Sequence, residues 1–317
     1  MVLAVVPKVK LNDGSEMPVL GLGTYLAKDD EVQKAVSHAI DVGYRHIDTA
    51  LYYRNEADIG EVIREKIKQG VVKREDLFIV TKLWNSYHDP ERVEYACRKS
   101  LENLGLDYID LYLMHHPVGY IYVDDNNLRP TYSDEKLMLN DVDYLDTYKA
   151  MEKLVKKGLT KSIGVSNFNK EQLERIIQFC KIRPVTNQVE CNPGINQKKL
   201  IKYCRDHGIT VTAYAPLGRP IAKEKIPTFL FDDIILSIAN KHKKTPAQVI
   251  LRYLIDINTI PIPKSTNPER IEENIKLFDF KLNNDEIELI DSLNTGNRLY
   301  QFPLMQDHKY YPFKAEY

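Results

Sequence analysis

Eight short β-like segments recur along this chain, separated by amphipathic helical stretches at intervals of roughly 30 to 40 residues. Nothing else in the sequence narrows the fold as much. Strands joined through helices pair in parallel, and a parallel sheet must be covered on both faces or closed on itself. The strand candidates are Leu20–Leu22, His46–Asp48, Leu77–Lys82, Ile109–His115, Ser162–Val165, Thr186–Glu190, Thr210–Tyr214 and Thr259–Pro263. Helical patterns fill Asp30–Asp41, Glu56–Lys68, Pro90–Leu104, Tyr144–Lys157, Lys170–Cys180, Lys198–Asp206 and Pro246–Asp256.

Eight strands, each followed by a helix, are what closes a (β/α)8 TIM barrel. An open doubly wound sheet has fewer strands and a Gly-rich phosphate turn after the first. Here Gly21-Leu22-Gly23-Thr24-Tyr25-Leu26 lacks the third glycine of that turn, and no acid follows at a convincing strand end. The expected fold is α/β, one barrel domain over residues 1–317. An N-terminal β-hairpin precedes it, with Pro7–Leu11 and Glu16–Leu20 joined at Asn12-Asp13-Gly14-Ser15. Three segments exceed what connection needs: 118–142, the two-proline stretch 219–231, and the aromatic tail from Asn294 to Tyr317. In a barrel such loops belong at the C-terminal face of the strands, where sites are built.

Composition excludes other classes. With 44 basic against 45 acidic residues, the net charge of −1 gives no bulk attraction to nucleic acid or membrane. The N-terminal apolar run ending at Pro7 has no basic region before it and is too short for a signal peptide or a span. Cys97, Cys180, Cys191 and Cys204 form no CxxC pair and no metal-ligand spacing, so they read as reduced thiols of a cytoplasmic protein with no metal site.

A barrel presents chemistry at its strand ends. Asp48 ends the second strand, Lys82 the third and His115 the fourth. Lys82 follows the apolar run Leu77-Phe78-Ile79-Val80-Thr81, and an unpaired ammonium there is costly, so Asp48 on the adjacent strand is its natural partner. The bland alternatives are a lysine emerging to solvent, a structural acid and a satisfied rim histidine. Tyr53, one of twenty tyrosines, carries weight only beside the other three. After the eighth strand, Lys264, Ser265, Thr266, Asn267 and Arg270 surround an Asn267-Pro268 helix start, where dipole, amides and cations together favour an anion. An ordinary capped helix with two surface cations is the alternative. Ser166, Asn167, Gln188 and Tyr214 complete a polar and aromatic ring at strands five to seven, suited to a planar amide-bearing group such as nicotinamide.

At these residues the chain resembles the aldo-keto reductase family, in its aldose-reductase-like branch. The resemblance runs through Gly43-Tyr44-Arg45-His46-Ile47-Asp48-Thr49-Ala50 with Tyr53, Asn55 and Glu56, then Thr81-Lys82-Leu83-Trp84 and Leu111-Tyr112-Leu113-Met114-His115. It continues through Gly164-Val165-Ser166-Asn167-Phe168, Asn187-Gln188-Val189-Glu190 and Ile262-Pro263-Lys264-Ser265.

The resemblance implies a monomeric enzyme that reduces a small-molecule aldehyde or ketone with NADPH. By position, its catalytic tetrad falls on Asp48, Tyr53, Lys82 and His115, with Tyr53 as proton donor and Lys82 drawing the phenol toward working pH. Carried over in the same way, the cofactor is held by Gly23, Thr24, Tyr25, Asp48, Ser166, Asn167, Gln188, Tyr214, Pro216, Leu217 and Gly218. Lys264, Ser265, Thr266, Asn267 and Arg270 take its 2′-phosphate end, and Glu273 and Asn274 the adenine side. Tyr53, Trp84, His115 and His116 contact substrate. One position departs: aldose reductase itself has tryptophan where this chain has His116, which puts an aldose-reductase-like ligand preference in question. The implied substrates are lipid or sugar aldehydes, or an ecdysteroid or steroid ketone. The family also includes channel β-subunits and lens crystallins, so a cofactor-binding regulatory or structural role is the alternative.

Overall fold

The computed structural model describes residues 5–224 and 226–315. Four residues of the N-terminal apolar run, Lys225 in the two-proline stretch and the last two of the aromatic tail lie outside them. The hairpin forms as expected, β1 (Lys8–Lys10) pairing antiparallel with β2 (Glu16–Pro18). Eight strands then line up in chain order in one parallel sheet: β3 (Leu22–Gly23), β4 (His46–Asp48), β5 (Phe78–Leu83), β6 (Ile109–Met114), β7 (Thr160–Ser166), β8 (Thr186–Glu190), β9 (Thr210–Tyr214) and β10 (Thr259–Pro261). The two edges meet, Gly21 N donating to Pro261 O and Gly23 N to Pro263 O, both at 3.1 Å. The sheet is therefore a closed (β/α)8 barrel.

Helices α1 (Asp29–Val42), α2 (Glu56–Lys68), α3 (Val93–Leu104), α4 (Tyr144–Lys156), α5 (Lys170–Phe179) and α6 (Lys198–Asp206) each follow a strand. After β9 come α7 (Asp233–His242) and α8 (Pro246–Asp256), and after β10 α9 (Pro268–Ile275) and α10 (Asn284–Asp291). Two of these helices, α7 and α10, are absent from the sequence reading. Both carry a start signal: Asp232 accepts from Ile234 N, and Asn283 with Glu286 makes a reciprocal capping box. The third helix begins at Val93 rather than Pro90, and β10 ends at Pro261 rather than Pro263.

Alternation along the strands sorts the core. Ile79, Tyr112 and Met114 face the helices, whereas Phe78, Val80, Leu111, Leu113 and Ile260 fill the barrel. Leu11 and Met17 of the hairpin segment join that inner cluster, and burying each such side chain contributes about 1.5–3 kcal/mol. One step further along the inward columns stand Lys82, after Phe78 and Val80, and His115, after Leu111 and Leu113. Strand pairing of Asp48 with Val80 puts the acid beside them. The same period that packs the barrel with Leu and Val thus delivers polar groups at its C-terminal mouth.

Candidate active site

The site rests on a buried ion pair. Lys82 Nζ donates to Asp48 Oδ1 at 2.6 Å and to Thr49 O at 2.9 Å, and approaches the Tyr53 hydroxyl at 3.3 Å. Lys82 is fully buried and Asp48 2% exposed. Gln188 Nε2 donates to the other Asp48 oxygen at 2.7 Å, so the carboxylate is held from both sides. Tyr53 ends a short 3-10 turn, Leu51–Tyr53, that closes on Arg54 in the left-handed region. The turn is pinned from below: Thr49 Oγ1 donates to Asn55 Oδ1 at 2.7 Å, and Asn55 Nδ2 donates to Thr24 O and Ala27 O. His115 stands edge-on to Tyr53, ring centroids 5.8 Å apart, and edge-on to Trp84 at 5.0 Å.

Burial, and then the negative charge of Asp48, push the Tyr53 phenol well above its ordinary range. The sequence reading expected the opposite, a phenol drawn down by Lys82. The difference lies first in burial, which disfavours the phenolate, and then in Asp48, whose charge 2.6 Å from Lys82 offsets the pull of the ammonium. Burial lowers Lys82 from its usual value, with Asp48 opposing. It also pushes His115 well down, helped by His116, Lys82 and His88, so the imidazole beside Tyr53 is neutral at neutral pH. His116 stacks parallel on His115 at 5.2 Å and meets Phe302 of the tail edge-on at 4.5 Å.

The ring of polar residues at β7 to β9 forms as a connected set. Ser166 Oγ donates to Gln188 O at 2.8 Å, Asn167 Nδ2 to His115 O at 2.9 Å, and the Tyr214 hydroxyl to Asn167 Oδ1 at 2.9 Å. Thr24 donates to Asp48 O at 2.9 Å, and Tyr25 lies 5.0 Å from the Tyr53 ring. Pro216, Leu217 and Gly218 follow β9, Gly218 with φ +65.

On the far side of the mouth, Lys264 bridges in parallel to Gly23, and Asn267 caps α9 by accepting from Arg270 N. Lys264 and Arg270 are exposed and form no ion pair among the described residues. Ser265 and Thr266 are half-covered beside them. Glu273 accepts from Thr245 at 2.7 Å, and Asn274 is buried. Two unpaired cations at a helix N-terminus match a dianionic phosphate, and the amide and hydroxyl ring matches a carboxamide, so the donor set fits a phosphorylated nicotinamide dinucleotide.

Several groups here escaped the sequence reading. Tyr52 stacks on Trp84 at 3.8 Å, and Trp84 Nε1 donates to Leu128 O of the 118–142 loop at 2.5 Å. Glu190, at the end of β8, accepts from Leu299 N and Tyr300 N and fixes the tail over the mouth. A buried acid ending a strand was the available signal. The loop itself is tied down through Asp125, which accepts from Tyr87 and Tyr122 at 2.9 Å.

A closed eight-stranded barrel with this quartet at its mouth defines a carbonyl-reductase class, and the comparisons agree. The chain belongs to the aldo/keto reductase family, whose model matches residues 19–295. It is similar to prostaglandin F synthase 1 of Bos taurus, 46% identical over 98% of each chain. Among solved structures it is similar to the aldose reductase from Schistosoma japonicum, TM-score 0.93 and 46% identity, covering 98% of this chain and 100% of that one. The aldo-keto reductase of Bombyx mori, solved in complex with NADP, superposes with a TM-score of 0.88 at 42% identity, with the same coverage.

Proposed function

We propose that the protein is an NADPH-dependent reductase of aldehydes or ketones, with Tyr53 as the acid that protonates the carbonyl oxygen. The observation that carries this reading is the Lys82–Asp48 pair set 3.3 Å beneath the Tyr53 hydroxyl, with a neutral His115 alongside. The cofactor is NADPH/NADP+; when bound, it supplies hydride from its nicotinamide to the carbonyl carbon. Tyr53, its phenol raised by burial, holds its proton at neutral pH and is available as a donor. As the proton leaves, the phenolate gains the Lys82 ammonium as a charge-assisted partner, while Asp48 keeps that ammonium in place. His115 has no positive charge with which to compete for the proton, and as a neutral donor it orients the carbonyl oxygen. Ser166, Asn167, Gln188 and Tyr214 would position the carboxamide and ring, and Lys264 and Arg270 the 2′-phosphate. Trp84 and His116 belong to the substrate side, with lipid, sugar and steroid carbonyl compounds as the first classes to assay. A cytoplasmic monomer completes the reading; cell fractionation and sedimentation test it.

The direct experiment follows NADPH oxidation over aldehydes, sugars, quinones and 3-keto steroids, in the parent and in Tyr53→Phe. The variant should lose turnover by about two to four orders of magnitude, the usual range for a positioned acid, with NADPH affinity nearly unchanged. Turnover retained within a few-fold would remove Tyr53 from the proton-donor role.

A further inference from the structure

A groove of about 370 Å3 opens outward from Tyr53, between the segment that follows β3 and the 118–142 loop. One wall is aromatic, formed by Tyr25, Tyr52 and Tyr53. The rim holds three cations, Lys28, Arg54 and Arg129, and among the described residues no acid lines the groove. Three positive charges at one cleft stand out on a chain whose net charge is −1. Their local engagements differ. Arg54 spends part of its guanidinium on the loop, Nη2 donating to Asn126 O at 2.5 Å. Arg129, exposed, makes no hydrogen bond or ion pair among the described residues. It acts on the site electrostatically: burial raises the Tyr25 phenol, and Arg219 and Arg129 both pull against that shift.

This groove is separate from the phosphate end of the cofactor site, where Lys264 and Arg270 surround the start of α9 beyond β10. We propose that Arg129, with Arg54 and Lys28 beside it, holds an anionic group at the far end of the substrate, so that the enzyme selects carbonyl compounds carrying a carboxylate or phosphate. The inference rests on the reductase reading above and names its substrate class. A rim of like charges focuses field into the cleft and recruits an anion, whereas the aromatic wall accepts the apolar body between anion and carbonyl.

The test uses a matched pair that differs only in charge: an ω-oxo carboxylic acid such as 9-oxononanoate and its methyl ester. Exposed ion pairs contribute modestly each, so the acid should be favoured about five- to tenfold in kcat/KM, mainly through KM. Added salt should erase the preference. Arg129→Leu should bring acid and ester level and Arg129→Glu should reverse their order, both with ester kinetics and NADPH affinity unchanged. A phosphate-terminated aldehyde run alongside separates the two anion chemistries: the class holds if either is preferred over its neutral ester. Equal kcat/KM in the parent for both the carboxylate and the phosphate substrate against their neutral esters, or a preference that persists in Arg129→Glu, overturns the proposal.

A second readout needs no turnover. Trp84 is the sole tryptophan and stacks on the groove residue Tyr52, so its quenching reports ligand affinity with NADP+ present. If 4-nitrobenzaldehyde is not reduced, the reductase reading fails by itself. The anion site is then judged on the two dissociation constants, where equality refutes it and tighter acid binding lost in Arg129→Glu supports it.

Discussion

Replacing Lys82 by methionine removes the charge at the base of the site while an unbranched apolar side chain fills most of the space. Asp48 would keep its bond from Gln188 at 2.7 Å and lose the 2.6 Å partner. With the pair at most 2% exposed, water cannot take over the lysine's role. Breaking a buried pair in this way costs about 3–5 kcal/mol when the remaining charge stays ionised. The variant can relieve that cost only by taking up a proton on folding. A carboxyl that is charged in the unfolded chain above about pH 4 but neutral in the fold makes stability fall as pH rises, by up to about 1.4 kcal/mol per unit. The deficit against the parent should therefore be about 1–2 kcal/mol near pH 5 and reach its full 3–5 kcal/mol by about pH 7 to 8. Urea unfolding across that range measures it. Lys82→Met/Asp48→Asn should recover most of the stability, because no buried charge is left, and none of the turnover. Turnover in either variant loses the ammonium that receives the phenolate, worth at least about 1.5–3 kcal/mol. A deficit that does not change with pH, or a single variant as stable as the parent at pH 7.5, would refute the reasoning.

Arg270→Met should weaken NADPH binding by about tenfold or more and leave NADH almost untouched, because one charge-assisted contact to the 2′-phosphate contributes about 1.5–3 kcal/mol before screening. The pair of dissociation constants at low and high salt checks it; equal parent affinities for the two cofactors would leave α9 as a capped helix with surface cations. His116→Trp should change the ranking of aldehydes and carboxylate inhibitors more than it changes cofactor affinity, since it enlarges the group between His115 and Phe302. An identical ranking over a varied panel would exclude His116 from the pocket. Burial lowers His46 to about 4 and His88 and His116 to about 3, so these imidazoles are neutral in the fold and protonate when the chain unfolds below their ordinary value. The unfolded state then binds more protons, and stability should fall as pH drops from about 6.5 toward 4, by up to about 1.4 kcal/mol per unit for each histidine. Neither nitrogen of His88 has a partner among the described residues, so His88→Phe should reduce that slope by up to about 1.4 kcal/mol per pH unit; unfolding curves at successive pH values decide it.

The barrel was legible because its strands are short apolar runs that the helical stretches separate cleanly. Lys82 was legible for a physical reason, that an ammonium in such a run needs a carboxylate, and Asp48 answers it at 2.6 Å. The role of Tyr53 came only with the family resemblance, since one tyrosine among twenty has no pattern of its own, whereas the β7–β9 ring was legible as polar groups at strand ends. The direction of the Tyr53 shift was not legible, because neither the burial of its hydroxyl nor the distance from Lys82 to its partner can be read from sequence. Tyr52, Arg54 and Arg129 stayed hidden for another reason. Their meeting depends on where the 118–142 loop folds back, fixed by single contacts such as Trp84 to Leu128, and no periodicity encodes such contacts.

The closure of the barrel has a mechanical side. Seven of the eight joints between staves are paired runs of strand, whereas the last, between β3 and β10, depends on the amides of Gly21 and Gly23 reaching Pro261 O and Pro263 O. Two prolines face this joint, and neither has an N–H to return, so beyond those two bonds only the bridge of Gly23 with Lys264 extends it among the described residues. The hoop is thinnest where Thr24 and Tyr25 leave one edge and Lys264 leaves the other. A dinucleotide held from both edges would act as a clasp on that hoop, and by mass action its binding to the closed barrel adds to the barrel's own stability. In such an architecture the cofactor would be a tension member of the wall as well as a reagent.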